Sequence, residues 1–201
     1  MNSSMRNPCK RGQQPSFWRT LQWFMLCGLW AAACQSSTAA GESAFDLRDL
    51  FNGGTNNKAT VLLFVSSECP ISNRYAPEFR RLHEKFGTNG VRFRLVYPDP
   101  DDKAESIHTH TNLYGLSMGA IRDPQHDLVK RAQATVTPES AVFTPEGRLV
   151  YHGRIDNRYV AFGKERPEAT EHDLEKVLED LIAGHRVRSG YKQPIGCYIP
   201  R

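Results

Sequence analysis

The segment Glu68-Cys69-Pro70-Ile71-Ser72 puts a thiol where a continuous apolar run gives way to a helical pattern. Unpaired backbone N–H groups and the positive end of the helix dipole meet at such a junction and favour a thiolate. An acidified thiol attacks a peroxide or a disulfide. The competing reading is a buried structural cysteine, because free cysteines are among the most buried residue types. Ser72 could donate a hydrogen bond to the Cys69 thiolate and lower its pKa, or simply cap the helix. The other thiol of the folded region is Cys197, in Gln193-Pro194-Ile195-Gly196-Cys197-Tyr198. A sulfenic acid formed at Cys69 can condense with a resolving thiol there if the tail reaches it. A static disulfide that ties the tail down is the alternative.

Other chemistry-bearing residues are weaker. His108 and His110 lie two apart, so their imidazoles diverge on a helix and form no metal site. Pro98-Asp99-Pro100-Asp101-Asp102 is acidic enough for a hard cation but reads as a solvated turn. Arg154, Asp156, Asn157 and Arg158, with Tyr159 and Phe162 beside them, read as salt-bridged structure. The sequence carries no CxxC zinc spacing, glycine-rich phosphate loop or Ser-His-Asp pattern. No metal and no cofactor are expected.

The elements that must hold Cys69 are legible. Thr60 to Ser66 is apolar and β-branched, as in a strand buried on both faces. Ser72 to Phe86 reads as a helix with Tyr75, Phe79, Leu82 and Phe86 on one face, ended by Gly87. Val91 to Tyr97 alternates as a second strand. Helices are expected over Lys103 to Tyr114 and His126 to Ala134, with a helical turn over Phe45 to Phe51. Ser140–Phe143 and Arg148–His152 flank the turn sequence Thr144-Pro145-Glu146-Gly147 as a hairpin. A last helix opens at the N-cap Thr170 and buries Leu174, Val177, Leu178, Leu181 and Ile182 up to Gly184. Parallel βαβ, then a hairpin, then a closing helix gives an α/β fold, a mixed central sheet with helices on both faces. His185 to Arg201 reads as a tail running over the surface.

The 201 residues suffice for one ordinary domain. Charged residues at 24% and aromatics at 10% exclude collagen, a wholly disordered chain and a polytopic membrane protein. The net charge of +4 sits in residues 1–40, which hold Arg6, Lys10, Arg11 and Arg19 and no acid. Setting these four aside leaves 22 of the 26 basic residues against 22 acidic ones, so no nucleic-acid face is expected. Leu21 to Cys34 is an apolar run suited to a signal peptide, with cleavage among Ser37 to Ala40. Ala31-Ala32-Ala33-Cys34 alternatively resembles a bacterial lipobox that would lipidate Cys34. The expected organisation is a leader at 1–40, a domain at 41–185 and a tail at 186–201. Export to the bacterial periplasm or another extracytoplasmic space follows, with membrane contact only through the leader or a lipid anchor.

Taken together, residues 45–185 resemble the thioredoxin-like superfamily in its redoxin branch, the alkyl-hydroperoxide-reductase and thiol-specific-antioxidant type. In Cys69-Pro70-Ile71-Ser72-Asn73-Arg74-Tyr75-Ala76-Pro77, the attacking cysteine of that family matches Cys69 and its helix proline matches Pro77. Ser72 stands where dithiol members carry a second cysteine, so exchange between adjacent thiols is not available. Val136-Thr137-Pro138-Glu139 matches the segment where the family keeps a cis-proline beside the cysteine. The resemblance therefore implies that Thr137 and Pro138 shape a substrate-binding edge for an extended peptide. Ser66 matches the Thr or Ser of peroxiredoxins, whereas Leu62 replaces their proline. The resemblance implies a three-layer thioredoxin-like fold and a thiol oxidoreductase acting on a disulfide or a peroxide. Its partners would be an external thiol reductant or a disulfide-bearing protein. A non-catalytic module that binds a protein or a metal is the alternative.

Overall fold

The computed structural model describes residues 50–51, 54, 56–187 and 191–200. The leader, Cys34 and the start of the domain lie outside the described residues, as does most of the helical turn expected over 45–51. Leu50 and Phe51 are helical.

The apolar run forms β1 (Ala59–Phe64), every residue of it buried. Its β-branched and aliphatic side chains pack on both faces, which only a central strand permits. The chain continues through α1 (Pro70–Gly87), β2 (Val91–Tyr97), α2 (Ala104–Tyr114) and β3 (Gly119–Arg122). Then follow α3 (Asp127–Ala132), β4 (Val136–Thr137), β5 (Glu139–Phe143) and β6 (Leu149–Gly153). A small hairpin, β7 (Tyr159–Ala161) with β8 (Lys164–Glu165), precedes α4 (Asp173–Ile182) and the terminal β9 (Cys197–Tyr198).

The main sheet has the order β3-β2-β1-β5-β6. β1, β2 and β3 run parallel, and β5 and β6 run antiparallel to their neighbours. One face buries Val61, Leu63 and Val65 against Phe79, Leu82 and Phe86 of α1 and Leu174, Val177 and Leu178 of α4. The other buries Leu62, Phe64, Ala141 and Phe143 against Leu50, Phe51 and α3. The period-two alternation of β1 thus supplies two cores at once. This is the α/β thioredoxin-like arrangement, with a mixed sheet between helical layers.

Several boundaries differ from the sequence reading for local reasons. Helix α1 starts two residues earlier, with Pro70 in its first turn, where a missing N–H costs nothing. Ser72 is therefore inside the helix and is not its cap. Helix α4 starts at Asp173 after His172, not after Thr170. The side chain of Asn157 donates to Thr170 Oγ1 and accepts from its N–H, both at 2.8 Å, and this holds Thr170 in the preceding loop. β3 escapes the hydrophobic pattern because it is a short, solvated edge strand. The largest difference is the tail. Its apolar residues turn inward from the surface: Ile195 and Cys197 pack on the first core, and Ile199 enters the second.

Candidate active site

Cys69 is the N-cap of α1, extended at φ −82° and ψ 110°, and its carbonyl accepts the first helical bond from Asn73 N–H at 3.0 Å. Its side chain is only 2% exposed. Burial raises the pKa of the thiol, but the combined influence of the Cys197 thiol, the Ser72 hydroxyl and N–H, and Thr137 is larger. The result lies below the ordinary cysteine value. The Ser72 hydroxyl is buried and has no hydrogen-bond partner of its own, so it is free to donate as negative charge develops on the sulfur.

The Thr137–Pro138 peptide bond is cis. The carbonyl of Thr137 accepts from Cys69 Sγ at 3.0 Å. Cys197 Sγ lies 2.7 Å from Cys69 Sγ, and the two are free thiols. Burial and the adjacent Cys69 push the Cys197 thiol up to about 12. The two thiols are thus shifted in opposite directions, Cys69 down by its donors and Cys197 up by burial and the adjacent sulfur. Cys69, Cys197, Ser72, Thr137 and Pro138 thus lie in one place, although they come from three elements, α1, β4 and β9, and the joint before β5.

The tail reaches that place along a defined track. Lys192 bridges to Gly153, and its carbonyl accepts from Arg154 N–H at 2.9 Å. β9 then pairs antiparallel with β4, Thr137 opposite Cys197 and Val136 opposite Tyr198. Gly196 is where the two backbones press closest. A Cβ there would sit 2.3 Å from the Thr137 carbonyl oxygen, which no side chain tolerates. A glycine directly before a cysteine was the available signal in the sequence.

Two sets of polar contacts hold the site in position, and they give Asp102 and His110 a supporting role that the sequence does not show. Glu139, fully buried after the cis-proline, accepts from the N–H groups of Thr135 and Val136 at 2.8 and 3.4 Å. Its second oxygen lies 3.5 Å from His152 Nδ1. Glu139 therefore fixes the strand that receives the tail. On the other side, Asp102 receives the Ser67 hydroxyl and its N–H, and Asn73 donates to Ser67 O at 3.1 Å. His110 Nε2 meets Asn73 Oδ1 and His110 Nδ1 meets Tyr97 OH, both at 2.8 Å. Because Asn73 Oδ1 can only accept, His110 carries its proton on Nε2 and Tyr97 donates to Nδ1. Burial lowers the pKa of His110 and keeps it neutral. This network binds the loop ahead of Cys69 to β2 and α2. Ser66 serves the same loop, its hydroxyl accepting from Glu68 N–H at 3.3 Å.

The remaining sequence candidates are structural. His108 is exposed and points away from His110. Asp99 accepts from Asp101 N–H within its own turn. Arg154 pairs with Asp173 and Glu171. Glu78, Asp156 and His172 bring ligand-type atoms within 4.8 Å of one another. Asp156 already accepts from Tyr75 OH and Arg158 N–H, and Glu78 grips Arg81 through both oxygens. Those commitments leave little for a metal.

Comparison with known proteins adds a family and a fold. The family model described as AhpC/TSA matches residues 31–152. A search of curated protein sequences gives no match. Among solved structures, a hypothetical protein from Sinorhizobium meliloti aligns with a TM-score of 0.63 at 23% identity, over 72% of this chain and 80% of that one. An uncharacterized conserved protein from Geobacillus kaustophilus aligns with a TM-score of 0.61 at 24% identity, over 71% and 77%. The thioredoxin domain of a thiol-disulfide oxidoreductase from Bacteroides vulgatus aligns with a TM-score of 0.47 at 15% identity, over 63% and 81%. At 23% and 24% identity the likeness to the first two is one of fold.

Proposed function

We propose, from the premise that the chain belongs to the AhpC/TSA family, that it is a two-cysteine thiol oxidoreductase with Cys69 as nucleophile and Cys197 as resolving thiol. The observation that carries this reading is the pair of sulfurs 2.7 Å apart, one of them at the N-cap of α1. Cys69 thiolate attacks the terminal oxygen of a hydroperoxide, the O–O bond breaks, and the alcohol or water leaves with a proton. Cys197 then attacks the sulfenic sulfur, forming the S–S bond and releasing water. With a disulfide as oxidant, Cys69 attacks one sulfur and expels a thiolate, and Cys197 expels the second. Either route takes two electrons from the pair, and two equivalents of an external thiol return them. The Ser72 and Thr137 side chains stabilise the thiolate as donors, and Pro138 shapes the edge beside it.

The same reading places the working protein outside the cytoplasm, from the signal-type run at Leu21 to Cys34. A 69–197 disulfide persists there until a dedicated reductant meets it.

Peptide mapping under non-reducing conditions tests the cycle. After one equivalent of hydrogen peroxide, the peptides holding Cys69 and Cys197 should be linked. In Cys197→Ser, Cys69 should instead be trapped by dimedone as the sulfenic adduct. Linkage absent from the first and adduct absent from the second would remove the proposal.

A further inference from the structure

We infer that β9 is a built-in occupant of the strand-pairing edge beside Cys69 and that it sets the substrate class. With the tail seated, the site admits small oxidants, and an extended cysteine-bearing peptide enters only when the tail leaves. The inference rests on the reading of Cys69 as nucleophile given above.

Strand β4 is two residues long, and among the described strands its pairing partner is β9. Ile199 N–H extends that pairing to Thr135 O at 3.2 Å. Without β9, the backbone of 135–137 would present unpaired polar groups, a template for any extended chain. The template is not remote from the chemistry. Thr137 O lies 3.0 Å from Cys69 Sγ, so the residue opposite Thr137 is brought to the sulfur. Here that residue is Cys197.

The tail is also shaped as a ligand for this edge. Ile195 and Pro194 line a small pocket with Pro138, Tyr75, Ile155 and Tyr159. Gly196 gives the backbone its close approach to Thr137, and Ile199 anchors in the second core on the far side. The pattern is apolar, glycine, cysteine, any residue, apolar, with Tyr198 at the free position and 88% exposed. A partner peptide that replaces the tail would carry the same pattern. While β9 is seated, Cys69 is almost wholly covered, so a peptide has no route to it. A molecule the size of hydrogen peroxide needs only a brief side-chain opening. Two residues of ladder and two anchors make a hold that local opening can release.

When the edge is open, Cys69 thiolate attacks the cysteine sulfur of a peptide disulfide. One S–S bond forms to Cys69 as the original one breaks, and the other half leaves as a thiolate.

The test uses the full chain carrying Cys197→Ser, alone and combined with Gly196→Ala, whose added Cβ would collide with the Thr137 carbonyl. Ile199→Asp, which removes the apolar anchor, is a second route to the open edge. Cys9, Cys27 and Cys34 are replaced by serine in every form, so Cys69 is the thiol that reacts. Two probes are compared. The small one is hydrogen peroxide, which needs no edge and whose loss reports its rate; the other is a synthetic Gln193–Pro200 peptide whose cysteine carries a 2-thiopyridyl disulfide and whose release of pyridine-2-thiol reports the second rate. The ratio of peptide rate to small-probe rate should rise about tenfold in each tail variant, as the open fraction grows. The same peptide with serine for cysteine, in excess, should return the ratio to its starting value. A ratio that stays within about twofold in both tail variants overturns the inference while leaving Cys69 a nucleophile. If the small probe fails to react at Cys69 in any form, the underlying reading is wrong as well.

Discussion

The two sulfurs stand at opposite extremes of anchorage. Cys69 caps an 18-residue helix packed across the central sheet, and the loop before it is pinned through Asp102, Asn73, His110 and Tyr97. Cys197 rides on a two-residue strand, half-buried, with an exposed tyrosine next to it. Under the proposed function, the difference follows the order of the chemistry. The first step needs a sulfur whose proton is already displaced, and only fixed donors achieve that. The second thiol must come to the first and later withdraw, and a lightly held strand can do both.

The contrast breaks most sharply in activity. Cys69→Ser should lower oxidant consumption by at least about a thousandfold, because the nucleophile itself is gone. Cys197→Ser should consume about one equivalent rapidly and then stall. Stopped-flow measurement of peroxide loss separates the two, and equal behaviour of the variants would erase the assigned division of labour.

Stability should divide along the same line. Leu63 lies fully buried in β1, and Leu63→Ala should cost about 3–4 kcal/mol in urea unfolding. Ile199→Ala should cost about 1–2 kcal/mol, because a segment held by a two-residue strand can settle into the space left. A tail anchor as costly as the strand core would mean that β9 is part of the rigid fold.

Between these regions lies Glu139, which holds the receiving strand. Glu139→Gln keeps the shape but turns two acceptor oxygens into one and places an amide against His152. A loss of about 1–3 kcal/mol is expected. It should appear as faster hydrogen exchange at the amides of Val136 and Ile199, with α1 unaffected.

The smallest effect concerns the helical layer behind the site. Arg81, aided by Lys85, holds Glu175 down at about 2 against the burial that opposes it. A carboxylate depressed in the folded state adds stability above its unfolded pKa, and that stability is lost as pH falls from about 4.5 toward 2. Arg81 and Lys85 are each 43% exposed, so the loss should be about 1 kcal/mol or less and should fade in high salt. Acid titrations of wild type and Glu175→Gln read the difference.

The same contrast governs how much could be read from the residues. β1, α1 and β2 are long and periodic, so their burial patterns mark them, and with them the position of Cys69. β4, β7, β8 and β9 have two or three residues each, too few to establish a period. Pro138 was legible through the family resemblance, and the structure sets it beside Cys69. The approach of Cys197 was open in the sequence, because a loop closure over 128 residues is decided by distant packing. Gly196 and Glu139 show their purpose only once Thr137 is in place. One needs a carbonyl to press against, and the other needs two N–H groups to receive.

The most direct test is the pH profile of alkylation of both cysteines in the same reduced molecules, resolved by mass spectrometry of the two peptides. Cys69 should reach half its maximal iodoacetamide reactivity clearly below about pH 8.5, the ordinary value for a cysteine. Cys197 should stay largely unmodified over that range while the Cys69 thiolate persists beside it. Half-reactivity of Cys69 at or above the ordinary value, or Cys197 reacting first, would contradict the account.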